Sequence, residues 1–329
     1  MFVVIYRKLF YALSLILVIG SIVSMSVWGL KLGIDFKGGS LIEIAYPNKA
    51  DMPTREDISA KLAPLSLQES IRSTGSDGYI IRMRDITPAE KQELNKLLGE
   101  VVSETAPKSS FIEKRFDSIG PILGKEAARK SVLSIIIVLI AIVFFVAYAF
   151  RKVSQPVSSW KYGLIAIIAL AHDVIIPMGA FSVLGHFYGY EVDTLFVTAL
   201  LVVLGFSVHD TIVVFDRVRE HLNANGGNWI SKMSGNKGNK ESGDSSSAKA
   251  LSPFARLVGE SIRETFARSI NTSLTTVIAL VVLYLIGGES TQHFTLALII
   301  GIVAGTYSSI FVGSPLLVTV DAMQKNRSK

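Results

Sequence analysis

Long apolar blocks alternate with polar segments along the chain, and the length of these blocks indicates the class of protein. A helix that crosses a bilayer takes about 20 apolar residues. Six stretches come close to or exceed that length: 9–30, 132–150, 162–184, 194–215, 267–287 and 294–320. Because only helices and closed barrels satisfy their backbone hydrogen bonds in lipid, the pattern predicts a polytopic α-helical membrane protein with six spans.

The first apolar block resembles a cleavable signal peptide only in its basic start, Arg7 and Lys8. Its apolar core extends over residues 9–30, which is longer than the apolar region of a signal peptide. No small-residue cleavage site follows it. We therefore expect an uncleaved anchor, so that residues 1–30 form the N-terminus and the first span.

The segment between the first two spans, residues 31–130, has the patterns of a small soluble domain. Its predicted strands and helices follow the order strand, helix, strand, strand, helix, strand, over residues 40–47, 54–65, 67–75, 79–86, 87–104 and 109–120. Thr54 with Asp57, and Thr87 with Pro88, are N-cap signals for the two helices. The order predicts an α+β ferredoxin-like domain. No cluster of histidines or carboxylates in it resembles a metal or hydrolase site, so we expect it to bind or position a partner.

Basic residues distinguish the two sides of the membrane. The loops on one side carry many of them, for example Arg151, Lys152 and Lys161, whereas the loops 185–193 and 287–293 contain no Lys or Arg. Because cytoplasmic loops carry this excess, we expect both termini on the cytoplasmic side of a cell (inner) membrane and the soluble domain on the extracytoplasmic side. The net charge of +6 is largely this topology signal, and we expect no nucleic-acid partner.

The loop after the fourth span has two parts. Residues 223–252 are rich in Gly, Ser, Asn and Lys, which is the composition of a disordered tether. Large apolar side chains then recur at helical spacing, at Phe254, Leu257, Val258, Ile262 and Phe266. This spacing predicts an interfacial amphipathic helix that leads into the fifth span. The predicted segments of the whole chain are residues 1–30, 31–130, 131–222, 223–252 and 253–329.

Ionisable side chains lie inside the predicted spans, where a charge is costly. The third span contains His172 and Asp173, and the fourth contains His209 and Asp210. The fifth span begins with a polar stripe made of Arg268, Asn271, Thr272 and Thr275. Intramembrane ionisable groups usually face the bundle interior or water and mark ion or proton paths.

Two interpretations of these acids stay open. Asp210 and Asp173 can be relay groups of a proton or ion pathway, with Arg268, Asn271 and Thr272 beside them. Alternatively, each acid forms a structural hydrogen bond or ion pair inside the bundle. The two histidines are interpreted as neutral packing residues. Metal binding is a poor alternative, because the histidines lie singly on separate helices and the chain has no cysteine.

Small residues mark two further features of the chain. Gly301, Gly305, Ser309 and Gly313 recur at every fourth position of the sixth span, which is typical of close helix packing. Glycines also flank the outer domain in "GIDFKGG" and "GPILGKE" and permit tight turns. The residues of this hinge, or plain structural junction, are Gly33, Asp35, Gly38, Gly39, Gly120, Pro121 and Gly124.

Five stretches resemble the SecF members of the SecD/SecF family of protein-export membrane proteins. They are "LGIDFKGGSLIEI", "IGPILGKEAARKS", "HDTIVVFDRVRE", "RSINTSLTT" and "GTYSSIFVGSPLL", and they span most of the chain in the family's order and spacing. The chain departs from the family in residues 223–252, an insertion that is longer than the resemblance leads us to expect.

The resemblance implies an RND-like half-bundle of six helices that pairs with SecD into a pseudo-symmetric unit of twelve. It implies work beside the SecYEG channel with a YajC-like subunit, in membrane lipid, where the outer domains help to pull the translocating preprotein. The energy source would be the proton-motive force, with protons as the coupling ion, no cofactor and no enzymatic activity. The family's proton-pathway positions correspond to Asp210 and Arg268.

Two other functions are compatible with the residues. One is an RND-type exporter of small molecules or lipids, although such exporters usually carry both six-helix halves and two large outer domains in one chain. The other is a non-transporting membrane scaffold, which would need no titrating acid. Replacing Asp210 by Asn separates the scaffold from the proton-coupled alternatives.

Overall fold

The computed structural model describes residues 2–47, 52–75, 77–105, 111–151, 159–224 and 251–327. The chain forms two compact units. The membrane unit comprises Met1–Leu30, Ser134–Tyr190 and Phe196–Lys329. The outer unit comprises Lys31–Leu133 and Glu191–Leu195.

Six helices among the described residues are long and apolar enough to cross a membrane, which confirms the prediction of six spans. After a short helix α1 (Phe2–Ile5), the first five spans are α2 (Arg7–Trp28), α6 (Pro121–Ala149), α7 (Ser159–Phe187), α8 (Thr194–Ala224) and α9 (Pro253–Ile286). The sixth span consists of α10 (Glu289–Ser308), a π-helical turn (Ser309–Gly313) and α11 (Ser314–Arg327).

Two membrane helices begin well before their apolar blocks. Helix α6 starts at Pro121 and includes "PILGKEAARKS". Within this segment, Lys130 pairs with Glu126 one turn earlier, at 2.8 Å. The predicted interfacial helix and the fifth span are one helix, α9, whose first turn is capped by the Ser252 side chain. Phe254, Leu257, Val258 and Ile262 are buried in the protein. Phe266 is 40% exposed, so its assignment to the same apolar face was wrong.

Small residues bring α2 and α7 close together in the membrane unit. A Cβ atom on Gly179 of α7 would lie 2.2 Å from the Ser21 Cβ of α2. Ser24 donates a hydrogen bond to the Gly179 carbonyl oxygen, and Ser182 donates one to the Ser24 carbonyl oxygen. The contact therefore combines close backbone approach with hydroxyl hydrogen bonds, as is common between membrane helices.

The four residues of the predicted small-residue ladder in the sixth span do not have the same role. A Cβ on Gly301 would lie 2.3 Å from Val203 Cγ2, and one on Gly305 would lie 3.0 Å from Ser207 Cβ, so both glycines permit close contact with α8. Ser309 forms hydrogen bonds, described below. A Cβ on Gly313 would have no neighbour nearer than 3.7 Å, so Gly313 is not needed for close approach and the ladder does not extend to it.

The outer unit is a four-stranded antiparallel sheet with two main helices, which confirms the predicted α+β domain. Its elements are α3 (Ile34–Lys37), β1 (Gly39–Ala45), α4 (Arg55–Leu62), β2 (Ser70–Thr74), β3 (Gly78–Met83), α5 (Pro88–Thr105) and β4 (Ile112–Ile119). The spatial order is β2-β3-β1-β4, and β1 pairs with β3 and β4. Thr54 and Asp57 form the predicted capping box of α4.

The core of the outer unit lies between one face of the sheet and helices α4 and α5. Alternate residues of β1 and β3, such as Ile42, Ile44 and Ile81, are fully buried against Ile58 of α4 and Leu94 of α5. Thr87 and Glu90 form a reciprocal pair of hydrogen bonds at the start of α5. Hydrogen bonds from Arg84 and from Thr87 lower the pKa of Glu90 to about 2, so this cap holds an ionised carboxylate.

The predicted hinge or junction is a densely packed part of the outer unit. Gly38 and Gly39 have φ values of +77° and +128°, which side chains rarely adopt. A Cβ on Gly38 would lie 2.7 Å from the Pro121 Cα, and one on Gly124 would lie 2.7 Å from the Gly38 nitrogen. A Cβ on Gly120 would have only Asp85 Oδ2 nearby, at 3.9 Å, so no close approach requires that glycine.

Two hydrogen bonds hold the start of α8, and the residues just before it, against this junction. The Asp35 carboxylate accepts a hydrogen bond from the Thr194 amide at 2.9 Å, and thereby caps the first residue of α8. The Gly33 amide donates to the Val192 carbonyl oxygen at 2.9 Å. This geometry favours a structural junction, and its use as a hinge stays a prediction.

Candidate functional site

Asp173 of α7 lies at the centre of a buried set of hydrogen bonds. Its side chain is 0% exposed. Ser207 of α8 donates to its Oδ2 at 2.5 Å, and Ser308 of α10 donates to the same oxygen at 2.8 Å. The neighbouring His172 places Nδ1 2.8 Å from Oδ1. Three groups on three helices therefore contact one buried carboxylate.

Asp210 of α8 occupies a second buried position with fewer partners. It is 1% exposed, and its Oδ2 accepts a hydrogen bond from Ser273 of α9 at 3.3 Å. Thr306 of α10 donates to the Ser273 hydroxyl at 2.6 Å. Within the described parts of the chain, no lysine or arginine forms an ion pair with this carboxylate. A charge on it is therefore opposed by desolvation and has no lysine or arginine partner, although the neighbouring His209 interacts with it electrostatically.

Each carboxylate accepts hydrogen bonds from hydroxyl side chains, and we call these hydroxyls and the hydroxyls beside them the hydroxyl cluster. It consists of Ser207 and Thr211 of α8, Ser273 of α9, Thr306 and Ser308 of α10, and Ser309 of the π-helical turn. Ser207, the partner of Asp173, lies one helical turn before Asp210 on α8. A hydroxyl both donates and accepts, so such a cluster is suited to passing protons between fixed acids.

The π-helical turn places Ser309 in the hydroxyl cluster. Its Oγ donates to the Ser207 carbonyl oxygen at 3.3 Å and lies 2.8 Å from the Thr211 Oγ1. The Ser309 carbonyl oxygen accepts the backbone N–H of Ser314 and also its hydroxyl, at 2.7 Å. π-Bulges occur frequently at functional sites, and this one lies beside the two acids.

The predicted polar stripe of α9 does not face Asp210. Arg268, Asn271, Thr272 and Thr275 are all exposed on this chain, on the side of α9 opposite Ser269 and Ser273. Thr272 donates a hydrogen bond to the Arg268 carbonyl oxygen, within its own helix. The chain thus brings together Asp173 and Asp210 but leaves Arg268, Asn271 and Thr272 outside the cluster, and their pathway roles stay predictions.

Ser273 is a site residue that the sequence patterns did not single out. The buried face of α9 runs through Val258, Ile262, Thr265 and Ser269 before it reaches Ser273. These positions are three or four residues apart, which is the spacing of one helix face. Continuing the apolar face of "PFARLVGESIRETFAR" into the span would therefore have predicted Ser273, and not Arg268, as the partner of a neighbouring helix.

The two intramembrane histidines have different surroundings. His209 is exposed on α8. His172 is 5% exposed and hydrogen-bonded to Asp173. The interpretation of His172 as a neutral packing residue did not include this hydrogen bond. In the part of the chain that the structure describes, no group of three or more His, Cys, Asp or Glu side chains could hold a metal ion.

Helices α8 and α9 are also joined by ion pairs beyond Asp210. Arg217 of α8 pairs with Glu264 of α9, and His221 of α8 lies 3.0 Å from the same carboxylate. Arg217 also pairs with Glu220 at 2.5 Å. The two helices are therefore joined both beside Asp210, through Ser273, and at the Arg217–Glu264 pair.

Parts of the sequence match two models of one protein family. Residues 99–235 and 244–323 match the C-terminal region of the SecD/SecF protein export membrane proteins. Residues 23–46 match the SecD/SecF GG motif, which contains Gly38 and Gly39. Together these segments cover well over half of the chain.

Curated relatives agree with the family match over nearly the whole length. The chain is 39% identical over 328 residues to the protein translocase subunit SecF of Thermobaculum terrenum, covering 95% of this chain and 92% of that protein. It is 36% identical over 318 residues to the SecF subunit of Anaerolinea thermophila, covering 95% and 91% respectively.

A solved structure has the same fold. The crystal structure of SecDF from Thermus thermophilus, described as a translocon-associated membrane protein, superimposes with a TM-score of 0.73 at 28% identity. The match covers 96% of this chain but 38% of the SecDF chain. This chain therefore corresponds to one part of that longer SecDF chain.

Proposed function

The chain belongs to the SecD/SecF family as a SecF-type, non-enzymatic subunit of a protein translocase, and from this premise we propose that it couples the proton-motive force to late steps of protein export. The observation that carries the proposal is the position of Asp210. It is a buried membrane carboxylate that accepts a hydrogen bond from a hydroxyl and forms no ion pair with a lysine or arginine among the described residues.

Protonation of Asp210 is the step that stores the coupling free energy. The ionised form is a buried charge with one long hydrogen bond, at 3.3 Å, so proton uptake removes a substantial desolvation cost. The neutral form can then pack differently against Ser273 of α9. One proton thereby biases two arrangements of α8 and α9, which is the requirement for a two-state coupling element.

Chain continuity supports a route from this element to the outer unit. Helices α6 and α8 each begin in the outer unit and continue into the membrane unit. The last outer-unit residue is Leu133 in α6 and Leu195 in α8. A change in the packing of α8 at Asp210 is therefore carried along the same helix to Thr194. We propose that the outer unit uses this movement to act on the translocating preprotein.

The experiment that tests the function is preprotein translocation into inverted vesicles that contain this chain, SecD and the SecYEG channel with a YajC-like subunit. An imposed proton gradient should accelerate completion of translocation after the ATP-driven phase. A protonophore should return the rate to that of vesicles without this chain. Equal rates with and without the gradient would contradict proton coupling, although the chain would still be a translocase subunit.

The exposed polar stripe of α9 indicates where SecD pairs. Arg268, Asn271, Thr272 and Thr275 are exposed on this chain although they lie within or beside a membrane span. Lipid offers no hydrogen bonds to such groups, whereas a partner helix with a carboxylate and small polar side chains does. We propose that Arg268 pairs with such a carboxylate of SecD, and that the proton path runs across this subunit interface.

Arg268→Lys should keep part of the proton-driven stimulation, whereas Arg268→Ala should keep little. Lysine retains the charge but loses the planar guanidinium that pairs with a carboxylate through two bonds. The measurement is the stimulated rate in the same vesicle assay, normalised to the amount of SecD co-purified with each variant. Equal stimulation by the two variants would mean that Arg268 is only a positive-inside anchor.

The membrane arrangement beyond the six spans is also part of the proposal. We propose that both termini face the cytoplasm and that the outer unit is periplasmic or otherwise extracytoplasmic, on the basis of the loop charges. Most of the tether predicted for residues 223–252 lies outside the described residues, since the structure describes the chain only up to residue 224 and from residue 251. Its role as a disordered linker stays a prediction.

A further inference from the structure

His172 has a buried ring nitrogen without a partner. Its Nδ1 lies 2.8 Å from the Asp173 Oδ1, but its Nε2 has no hydrogen bond to any described residue. The side chain is 5% exposed, so solvent around the chain does not readily satisfy that nitrogen. Buried polar atoms are normally paired, and an exception at an intramembrane histidine requires an explanation.

The pair of His172 and Asp173 can accept and release one proton with little rearrangement. In the neutral imidazole, Nδ1–H donates to Asp173 and Nε2 carries a free lone pair. Adding a proton at Nε2 leaves the Nδ1–H hydrogen bond in place and converts the ring to a cation beside a carboxylate. Ser207 and Ser308 also donate to that carboxylate, and these two hydrogen bonds need not change when the ring takes up the proton. The proton therefore changes the net charge of the pair from −1 to zero.

The surroundings of the pair connect it to the rest of the bundle. The His172 ring is stacked on Tyr307 of α10, with centroids 6.1 Å apart. The Tyr307 hydroxyl donates to the Phe10 carbonyl oxygen of α2 and accepts from Ser14. On the other side, Ser207 leads to Asp210 one turn later on α8.

The remaining ionisable groups near the pair are few. On the helices packed against α7, the titratable or charged side chains that are buried or half-buried are Arg7 and Tyr11 of α2, His293 and Tyr307 of α10, and Asp321 of α11. Asp210 lies on α8, one turn after the Asp173 partner Ser207. Tyr11 is itself bonded to Thr319, at 3.1 Å. Among the described residues no lysine or arginine forms an ion pair with Asp173, so His172 is its cationic partner when protonated.

We propose that His172 is a second proton-carrying residue of the coupling pathway, which takes up and releases the proton at Nε2 while Nδ1 stays bonded to Asp173. This inference rests on the proposed proton-coupled function. It assigns to α7 a proton-binding site separate from Asp210.

The functional test uses His172→Asn, with His186→Asn as the matched control on the same helix. The Asn side-chain amide can replace Nδ1–H as a donor to Asp173, but it does not titrate and has no counterpart of Nε2. His186 is exposed and stacked on Trp28, so its replacement removes a histidine of α7 away from the cluster. We expect His172→Asn to reduce the proton-driven stimulation of translocation at least about tenfold, and His186→Asn to leave it unchanged.

A measurement on the unmodified histidine keeps the inference testable if His172→Asn folds poorly. The full chain with SecD, labelled with ¹⁵N-histidine in lipid bilayers, gives a His172 signal that is identified by its absence in His172→Asn or by sequential assignment. We expect the Nε2 resonance to change between its protonated and unprotonated positions between about pH 5 and 8. A single protonation state over that range would overturn the inference.

The two proposals fail in different ways. If Asp210→Asn abolishes stimulation and His172→Asn retains it, His172 has a packing role and only the present inference is wrong. If Asp210→Asn itself retains stimulation, the proposed coupling function is wrong whatever His172 does. Loss of stimulation in both variants, together with a titrating His172, supports both.

Discussion

Asp210→Asn should abolish the proton-driven part of translocation, with a fall of at least about tenfold in the stimulated rate. Asparagine has nearly the same shape as aspartate, and its amide oxygen can still accept the hydrogen bond from Ser273. What it loses is the ability to bind and release a proton. The substitution also removes a buried charge, so the variant should insert normally and be at least as stable as the natural chain. The measurement is translocation into inverted vesicles with and without an imposed proton gradient.

Asp216→Asn is the matched control for this experiment. Asp216 lies on the same helix but is exposed, and its carboxylate pairs with Arg219 on the surface. Exposed ion pairs contribute little to stability, so the control should keep the full proton response. SecD co-purification should be equal for both variants and the natural chain. Normal stimulation by Asp210→Asn would leave this chain a translocase subunit without a proton relay at Asp210.

Most of the fold was predictable because its signals are local. Each apolar block exceeds what a soluble helix needs, and the centre of β1 alternates between buried and partly exposed residues. Thr54 and Asp57 identified the start of α4, since a capping box depends on four consecutive residues alone. The start of α6, and the continuity of the helix from residue 253 with the fifth span, were not predicted, because hydropathy marks where lipid begins and not where a helix begins or ends.

The candidate site was predictable only in part, for a physical reason. Asp173 and Asp210 are conspicuous in the sequence because charges are rare and costly in a membrane span. Their partners are not, because serine and threonine occur throughout membrane helices and satisfy their own helix carbonyls at low cost. The spacing of Arg268, Thr272 and Thr275 identified a polar face of α9, but spacing alone does not say which neighbour that face meets.

The hydrophobic and small-residue patterns of the sequence did not predict the π-helical turn. A regular repeat of Gly301, Gly305, Ser309 and Gly313 predicts one continuous stripe on an α-helix. The wider turn at Ser309–Gly313 rotates the later positions away from that stripe, and a Cβ on Gly313 would meet Ala169 of α7, at 3.8 Å, and no residue of α8. Tertiary hydrogen bonds of Ser309 with α8 accompany this turn, and these depend on residues about a hundred positions away in sequence.

Gly179→Ala should destabilise the membrane unit although alanine is the better helix former. In an open helix position this substitution stabilises by up to about 1 kcal/mol. At Gly179 the new Cβ would lie 2.2 Å from the Ser21 Cβ and 2.5 Å from the Ser21 Cα. Because one of these atoms is backbone, α2 and α7 must separate. Overpacking of this kind costs roughly 1–3 kcal/mol, so steric repulsion should outweigh propensity.

Gly20→Ala is the control that isolates the steric effect from helix propensity. Gly20 precedes Ser21 on α2 and has nothing within 4 Å of its Cβ direction, so alanine there should be neutral or stabilising. The measurement is the thermal unfolding midpoint of each full-length variant, purified with SecD in the same detergent. Gly179→Ala should lower the midpoint, and Gly20→Ala should not.

Combining Gly179→Ala with Ser21→Gly tests whether the contact between α2 and α7 is the cause. Removing the Ser21 side chain eliminates the contacts at 2.2 Å and 2.4 Å but leaves its Cα 2.5 Å from the new methyl group. The double variant should therefore recover only part of the lost stability. Full recovery would show that the backbones can separate without cost, and no recovery would show that Gly179 acts elsewhere. Partial recovery would identify backbone approach at Gly179 as the feature that holds α7, and with it His172 and Asp173, against α2.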